Sequence, residues 1–302
     1  MYSNINKLNY NPDHFADNSP RQDNVFTKRI NCWEDTKERC DKINPYTNHK
    51  IIEDPPPSIK KKWQPINSKN KQCDRSNIVI ENMDTIECGF HYVKMGYNPL
   101  LLNLADDCYA GGCVDVGSGA QEESLFRCTN YHKTLKMIPS LYPIKDDEAV
   151  LSYGVSIIKK SEAKEWESIS FKCSPPKFSF IACPAVKYPI IEWVDEHKRL
   201  KDEDVAKLEK KIELILQTAF DGGFDTIIWG AMGCGAWRNP SYHVAEIMKR
   251  VLAKYDGMML NNVFAILKMS GDNYITRDHT NNTDNYDIFT KVFNKNCDIL
   301  KI

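Results

Sequence analysis

The sequence predicts an α/β fold, a sheet covered by helices on both faces. From Asn77 onward, short apolar runs of strand character alternate with longer segments of helical period, the order that builds such sheets. Two glycine-rich turns, Gly111 to Gly119 and Gly233 to Gly235, each follow a strand-like run and lead towards a helix-like one. A length of 302 residues allows one large core, or one domain with an appendage.

The elements follow in order. Residues 1–75 differ from the rest, being rich in Asn, Lys, Asp and Pro, and read as an accessory region preceding a single domain at 76–302. The opening stretch to Asn24 has too little apolar surface to offset chain entropy and is expected to be disordered. A helix is expected from Lys28 to Ile43, then turns at Asn44-Pro45 and Thr47-Asn48 and short extended pieces. Pro55-Pro56-Pro57 and Lys60-Lys61-Lys62 follow, and the lysine run reads as a solvated loop rather than a polyanion contact. The domain opens with a strand at Asn77–Glu81, a helix at Asp84–Lys94 and a strand at Pro99–Leu104. A helix from Ser124 to Met137 leaves the first glycine turn, and extended runs come at Val150–Ile158 and Phe178–Cys183. The helix Asp204–Phe220 places Val205, Leu208, Ile212, Ile215, Leu216 and Ala219 on one face. A strand at Thr226–Trp229 leads into the second glycine turn. Asn239 then suits an N-cap and Pro240 a first helical position, with Val244, Ile247, Met248, Val251 and Leu252 at helical spacing. A strand at Val263–Leu267 and a helix at Tyr286–Asn296 complete the order.

Composition excludes several classes. A formal net charge of -1 gives no global field for nucleic acid or an anionic membrane. The cysteines number 11, an odd count without a CxxC pair, which indicates neither a disulfide framework nor a zinc ribbon. The N-terminus lacks the basic and apolar blocks of a signal peptide. No apolar run approaches the roughly 20 residues that span a bilayer. The expectation is a soluble protein of a reducing compartment, cytoplasmic or nuclear, with no direct nucleic-acid or membrane partner.

The chemistry gathers at the two turns. Gly111-Gly112-Cys113 is followed by seven residues with two more glycines and then Gln121-Glu122-Glu123. A flexible turn lets backbone approach a ribose and a phosphate, and the adjacent carboxylates arrive near a helix N-terminus, where negative charge is favoured. At the second turn, strand, glycines and helix together make an anion site from free N–H groups and the helix dipole. Ligands of α/β sheets lie at the carboxyl ends of strands, so both turns can converge on one crevice. Taken singly, either turn is an ordinary connection.

Gly111-Gly112-Cys113 and Gln121-Glu122-Glu123 together resemble the signature of the poly(ADP-ribose) glycohydrolase family, a triple-glycine turn and a short loop before Gln-Glu-Glu, with Cys113 at the third glycine. Gly233-Cys234-Gly235-Ala236-Trp237 is similar to the diphosphate-binding loop of the microbial-type members, where Gly-Cys-Gly precedes an aromatic residue against the terminal ribose. The resemblance implies a macrodomain-like mixed sheet sandwiched by helices, with an N-terminal helical accessory region. It implies hydrolysis of ribose–ribose O-glycosidic bonds to release ADP-ribose, without cofactor or metal, from poly(ADP-ribose) or ADP-ribosylated proteins.

By the same register Glu123 is the general acid/base, and Glu122 holds ribose hydroxyls and orients the substrate. Gly111, Gly112 and Cys113 bring backbone against the diphosphate and distal ribose, and Gln121 belongs to the binding set chiefly as a brace. Gly233, Cys234, Gly235, Ala236 and Trp237 take the diphosphate and terminal ribose. Leu102-Asn103-Leu104-Ala105-Asp106 resembles the stretch before the glycines in relatives, with Asp106 where a ribose-contacting Asn or Ser stands. Asn82, after the first strand, is placed to meet the adenine or its ribose. Two departures matter: Asp106 adds negative charge near a diphosphate, and a Cβ at Cys113 is strained if its φ is positive.

Such hydrolysis needs a proton for the leaving oxygen and a water for an oxocarbenium-like carbon. One carboxyl can serve as acid and then as base if enclosure or a neighbouring like charge raises its pKa. Cys108 and Cys113 with His132 lack a fourth partner at zinc spacing, and no histidine is paired with Cys234 as a base. Other readings remain open: an ADP-ribose-binding module without activity, a hydrolase of single ADP-ribose on protein side chains, or a nucleic-acid-binding protein using Lys60–Arg75.

Overall fold

The computed structural model describes residues 20–67, 69–194, 197–268 and 284–294. In chain order its elements are α1 (Pro20–Asp41), β1 (Ile59–Lys62), β2 (Asn77–Glu81), α2 (Thr85–Lys94), β3 (Pro99–Asn103), α3 (Gln121–Cys128), α4 (His132–Leu135), β4 (Glu148–Ser156), β5 (Lys177–Ala182), β6 (Ile191–Val194), β7 (His197–Leu200), α5 (Asp202–Asp221), β8 (Thr226–Trp229), α6 (Ser241–Lys254), β9 (Asn261–Ala265) and α7 (Asn285–Asn294). Seven strands form one sheet in the order β1-β4-β5-β3-β8-β9-β2, and β6-β7 make a separate hairpin. The block β5-β3-β8-β9-β2 is parallel. β4 and β1 add to it antiparallel.

Both faces of the sheet are covered, which is why its central strands are apolar throughout rather than alternating. In β3, Leu100 and Leu102 enter one core and Leu101 the other. The first core takes Leu208, Ile212 and Ile215 of α5, Val244, Ile247 and Val251 of α6, and Phe289 of α7. The second takes Trp33 of α1, Ile86 and Tyr92 of α2, Leu125 and Phe126 of α3 and Leu135 of α4. This is the mixed α/β sandwich that the sequence predicts.

Several elements differ from expectation. The stretch to Asn24 expected to be disordered lies outside the described residues as far as 19, and α1 starts at Pro20 rather than Lys28. Lys60-Lys61-Lys62 is not a loop but most of β1, whose register pairs Lys60 with Val150 and Lys62 with Glu148. Lysines suit such an edge, and Lys60 and Lys62 pair with the Glu148 carboxylate at 3.2 and 3.6 Å.

The helix expected over Ser124–Met137 is shifted and broken. It starts at Gln121, so the glutamates fill its first turn, and it stops at Cys128. Thr129 Oγ1 donates to Leu125 O (2.7 Å) and accepts from Tyr131 N, while Asn130 Oδ1 accepts from Ser156 N at 2.8 Å. These local side-chain bonds compete with the helix and tie its end to β4.

Asn239 is not an N-cap. α6 starts at Ser241 with Pro240 at the cap position. The Asn239 amide instead donates to Val186 O (2.7 Å) and Gly233 O (3.2 Å), stapling the second glycine turn to the segment after β5. The β6-β7 hairpin has no counterpart in the sequence reading.

Candidate active site

β3 is buried along its whole length and delivers Asn103 to the carboxyl end of the sheet. Beyond it the chain turns at Asp106, whose Oδ1 accepts from Cys108 N (2.8 Å) and Tyr109 N (2.9 Å). Gly111 and Gly112 then take φ +83° and +50°. A Cβ at Gly111 would stand 2.5 Å from the Phe126 ring, and one at Gly112 would stand 2.7 Å from Glu123 Oε1. Glycine is therefore required at both positions, by backbone and by space. Cys113 has φ -101°, so its side chain is accommodated without the strain that a positive φ would bring.

Gln121 braces the loop on β3. Its Oε1 accepts from Leu104 N (2.9 Å), and its amide donates to Leu102 O (2.7 Å) and Thr85 Oγ1 (3.2 Å). The Glu122 and Glu123 side-chain environments then diverge. Glu122, 3% exposed, accepts from Gly111 N (3.0 Å), Asp106 N (2.7 Å) and Asn103 Nδ2 (3.3 Å). Three of its roughly four acceptor positions are thus filled from within the protein. Burial pushes its carboxyl up to about 8, outweighing those donors, and the Glu123 charge adds to the rise. Glu123, 6% exposed, accepts from Cys113 N at 3.0 Å on Oε1. Its Oε2 is buried and has no hydrogen-bond partner among the described residues.

The second turn follows β8, the parallel neighbour of β3, so both turns leave the same end of adjacent strands. Gly233 has φ +71°, and its carbonyl accepts from Asn239 N at 3.0 Å. Cys234 N and Arg238 N turn inward to Ala231 O and Gly235 O, at 3.2 and 3.1 Å. Among the described residues, the N–H groups of Gly235, Ala236 and Trp237 have no internal acceptor. Burial pushes the Cys234 thiol up to about 12, which leaves it protonated and unsuited to nucleophilic attack.

Lys187, a residue that the sequence reading missed, joins the two turns. Its ammonium contacts Asp106 Oδ2 (3.2 Å) and Asp107 Oδ1 (2.5 Å) and lies 5.6 Å from the centre of the Trp237 ring. Burial alone would lower its pKa, but the Asp107 and Asp106 carboxylates raise it well above the ordinary lysine value. The extra negative charge of Asp106 is thereby offset in part by a cation that it shares with Asp107. The only hint in the sequence is that Lys187 follows an apolar run that becomes β5, the other neighbour of β3.

The remaining candidates fall elsewhere. Asn82 is exposed beyond β2, two strands away from β8, and its Oδ1 accepts from Lys268 N at 2.7 Å. Asp106, Asp107 and Cys108 bring ligand-type atoms within 4.8 Å of one another, a group the Lys187 ammonium already contacts. His132 is buried with its ring 5.0 Å from that of Trp33, and burial lowers its pKa to about 4.

A second missed set lies behind the glutamate loop. A Cβ on Gly117 would stand 2.7 Å from Phe26 O, and one on Gly119 2.5 Å from the Arg29 guanidinium. Arg29 pairs with Glu162 at 2.9 Å, Glu162 reaches Arg127 at 3.9 Å, and Arg127 Nη1 donates to Ser118 O at 2.7 Å. Helix α1 thus forms the outer wall of the loop.

A mixed sheet of this order, with a carboxylate loop and a glycine loop leaving adjacent parallel strands, is a macrodomain-like architecture. Residues 27–159 match the family model described as microbial-type PARG, catalytic domain. The structure is similar to that of poly(ADP-ribose) glycohydrolase (PARG) from Thermomonospora curvata, with TM-score 0.68 and 17% identity over 88% of this chain and 100% of that one. The same enzyme bound to the inhibitor ADP-HPD gives TM-score 0.66 and 18% identity over 88% and 99%. PARG from Deinococcus radiodurans in complex with ADP-ribose gives TM-score 0.57 and 15% identity over 89% and 92%. No curated protein matches the chain in sequence. Among the described residues, no helix is long and apolar enough to cross a membrane.

Proposed function

We propose that the protein is a poly(ADP-ribose) glycohydrolase in which Glu123 is first the acid and then the base. The observation that carries this assignment is the contrast within the glutamate pair. Glu122 spends its oxygens on the loop that it holds closed, whereas Glu123 keeps a buried oxygen without a protein partner beside a turn that only glycine can form. As the ribose–ribose bond breaks, its electron pair goes to the leaving oxygen, which takes the proton from Glu123. A water then adds to the oxocarbenium-like carbon and returns a proton to the same carboxylate, giving ADP-ribose.

Substrate positioning falls to the two turns. The free N–H groups of Gly235, Ala236 and Trp237 suit the diphosphate, and the Trp237 ring suits the terminal ribose. Backbone of Gly111, Gly112 and Cys113 lines the distal ribose. Asn82 offers the adenine its amide N–H, while its oxygen already accepts from Lys268 N.

The test is release of ADP-ribose from purified poly(ADP-ribose) by the wild type and by Glu123→Gln. The amide keeps size and hydrogen bonding but removes the titratable proton. Release by the wild type and near-total loss in the variant is the expected result. If neither releases product while both bind ADP-ribose, the protein is a binding module and the mechanism falls.

A further inference from the structure

Two bulky residues beside the site have left-handed backbone: Tyr188 at φ +49° and Arg238 at φ +59°. Such values are outliers for large side chains, the more so for Tyr188, which precedes Pro189 and would favour extended backbone. Packing does not account for either. Tyr188 is 63% exposed and Arg238 is also exposed; the Arg238 backbone N–H reaches only Gly235 O within its own turn, and neither side chain forms a hydrogen bond or ion pair among the described residues. Strain without an internal partner is characteristic of ligand-facing positions.

The two residues lie on neighbouring segments of the site's rim. Asn239 Nδ2 donates to Val186 O at 2.7 Å, and Lys187 sits 5.6 Å from the Trp237 ring centre. Segments 186–188 and 237–239 are therefore tied together immediately before Tyr188 and on either side of Arg238. From Tyr188 the exposed apolar surface continues along the chain through Ile190 to Trp193 of β6, which is 59% exposed.

We propose that Tyr188 and Arg238 form a subsite for a second ADP-ribose unit, the one next to the unit being released. This rests on the glycohydrolase reading above. Each repeat of the polymer carries an adenine and a diphosphate. The Tyr188 ring stacks on the adenine, and the unpaired Arg238 guanidinium takes the diphosphate, a geometry guanidinium suits better than ammonium. The subsite makes the protein bind chains more tightly than it binds single ADP-ribose.

The experiment uses Glu123→Gln protein, so that chains survive, and titrates ADP-ribose against a short poly(ADP-ribose) chain of defined length. Arg238→Gly and Tyr188→Asn are added separately, since glycine and asparagine accept positive φ and preserve the backbone. The chain is expected to bind about tenfold more tightly than ADP-ribose. Each variant should lose most of that gain while keeping its affinity for ADP-ribose, and the Arg238 contribution should shrink with added salt. Equal affinity for chain and monomer in the parent overturns the subsite, as does a gain that survives both variants. Loss of monomer affinity in step with chain affinity overturns it too, because the residues would then serve the first unit. Failure of the wild type to release ADP-ribose sinks the glycohydrolase reading separately.

Discussion

Trp33 Nε1 donates to Asp115 Oδ1 across 2.6 Å and so joins helix α1 to the short turn that leads to the two glutamates. Trp33 is 1% exposed, and its ring lies 6.1 Å from that of Phe126, the ring against which Gly111 closes. Backbone turn, glutamate helix and α1 thus share one packed contact, and the position of Glu123 depends on a helix from the N-terminal region.

Trp33→Phe preserves most of the ring packing and removes the N–H donor. The expected outcome is a turnover number lowered about threefold to tenfold with KM nearly unchanged, because the loop is held less accurately for the reacting geometry. Thermal unfolding should shift little, the lost hydrogen bond being worth about 1 kcal/mol. Full turnover in this variant would show that the loop holds its shape without the bond from Trp33 to Asp115.

Gly112→Ala would place a methyl group 2.7 Å from Glu123 Oε1 and 3.4 Å from Glu122 Oε2, at φ +50°. A loss of about 1–3 kcal/mol in urea unfolding is expected, together with almost all ADP-ribose release. Alanine tolerated on both measures would mean that the carboxylates are not closed on the turn.

The Glu122 carboxyl carries a pH signature. Its folded value is raised to about 8 against an ordinary 4.5, so the folded state binds the extra proton between those limits. Stability is then full below the lower value and falls as pH rises through the upper one. Glu122→Gln cannot titrate. The wild-type melting temperature should decline from pH 5 to pH 8 more steeply than that of the variant, read as slope rather than level. Parallel curves would show that Glu122 is already ionised at pH 5.

Asp106→Asn keeps the oxygen that accepts from Cys108 N and Tyr109 N and removes the charge facing Lys187. ADP-ribose, a dianion at its diphosphate, should bind about threefold more tightly by calorimetry, with the difference shrinking in salt. Unchanged affinity would place the Asp106 charge beyond the ligand's reach.

The sheet was most legible where short apolar runs are bounded by turn residues. β2 and β8 fall on the expected residues, and the two glycine turns leave neighbouring strands. What escaped was set by partners distant in sequence. β1 is a strand because β4 pairs with it, although three lysines in a row suggest solvent. The helix after the glutamates stops at Cys128 because Asn130 is tied to Ser156 on β4. Lys187 gains its place from carboxylates about eighty residues earlier, and Trp33 from an aspartate on the glutamate loop. Asn239 carries the residue type of a cap but serves a different backbone, that of the segment after β5.

The lysine-bearing edge of the sheet bears on self-association. An open strand edge invites a strand from another molecule to extend the sheet. At β1, an incoming copy of the same edge would have to bring its own Lys60, Lys61 and Lys62 against the same three lysines, whose charge the single Glu148 carboxylate offsets only in part. Like-charge repulsion along that border opposes edge-to-edge stacking of identical chains and favours their remaining separate at high concentration.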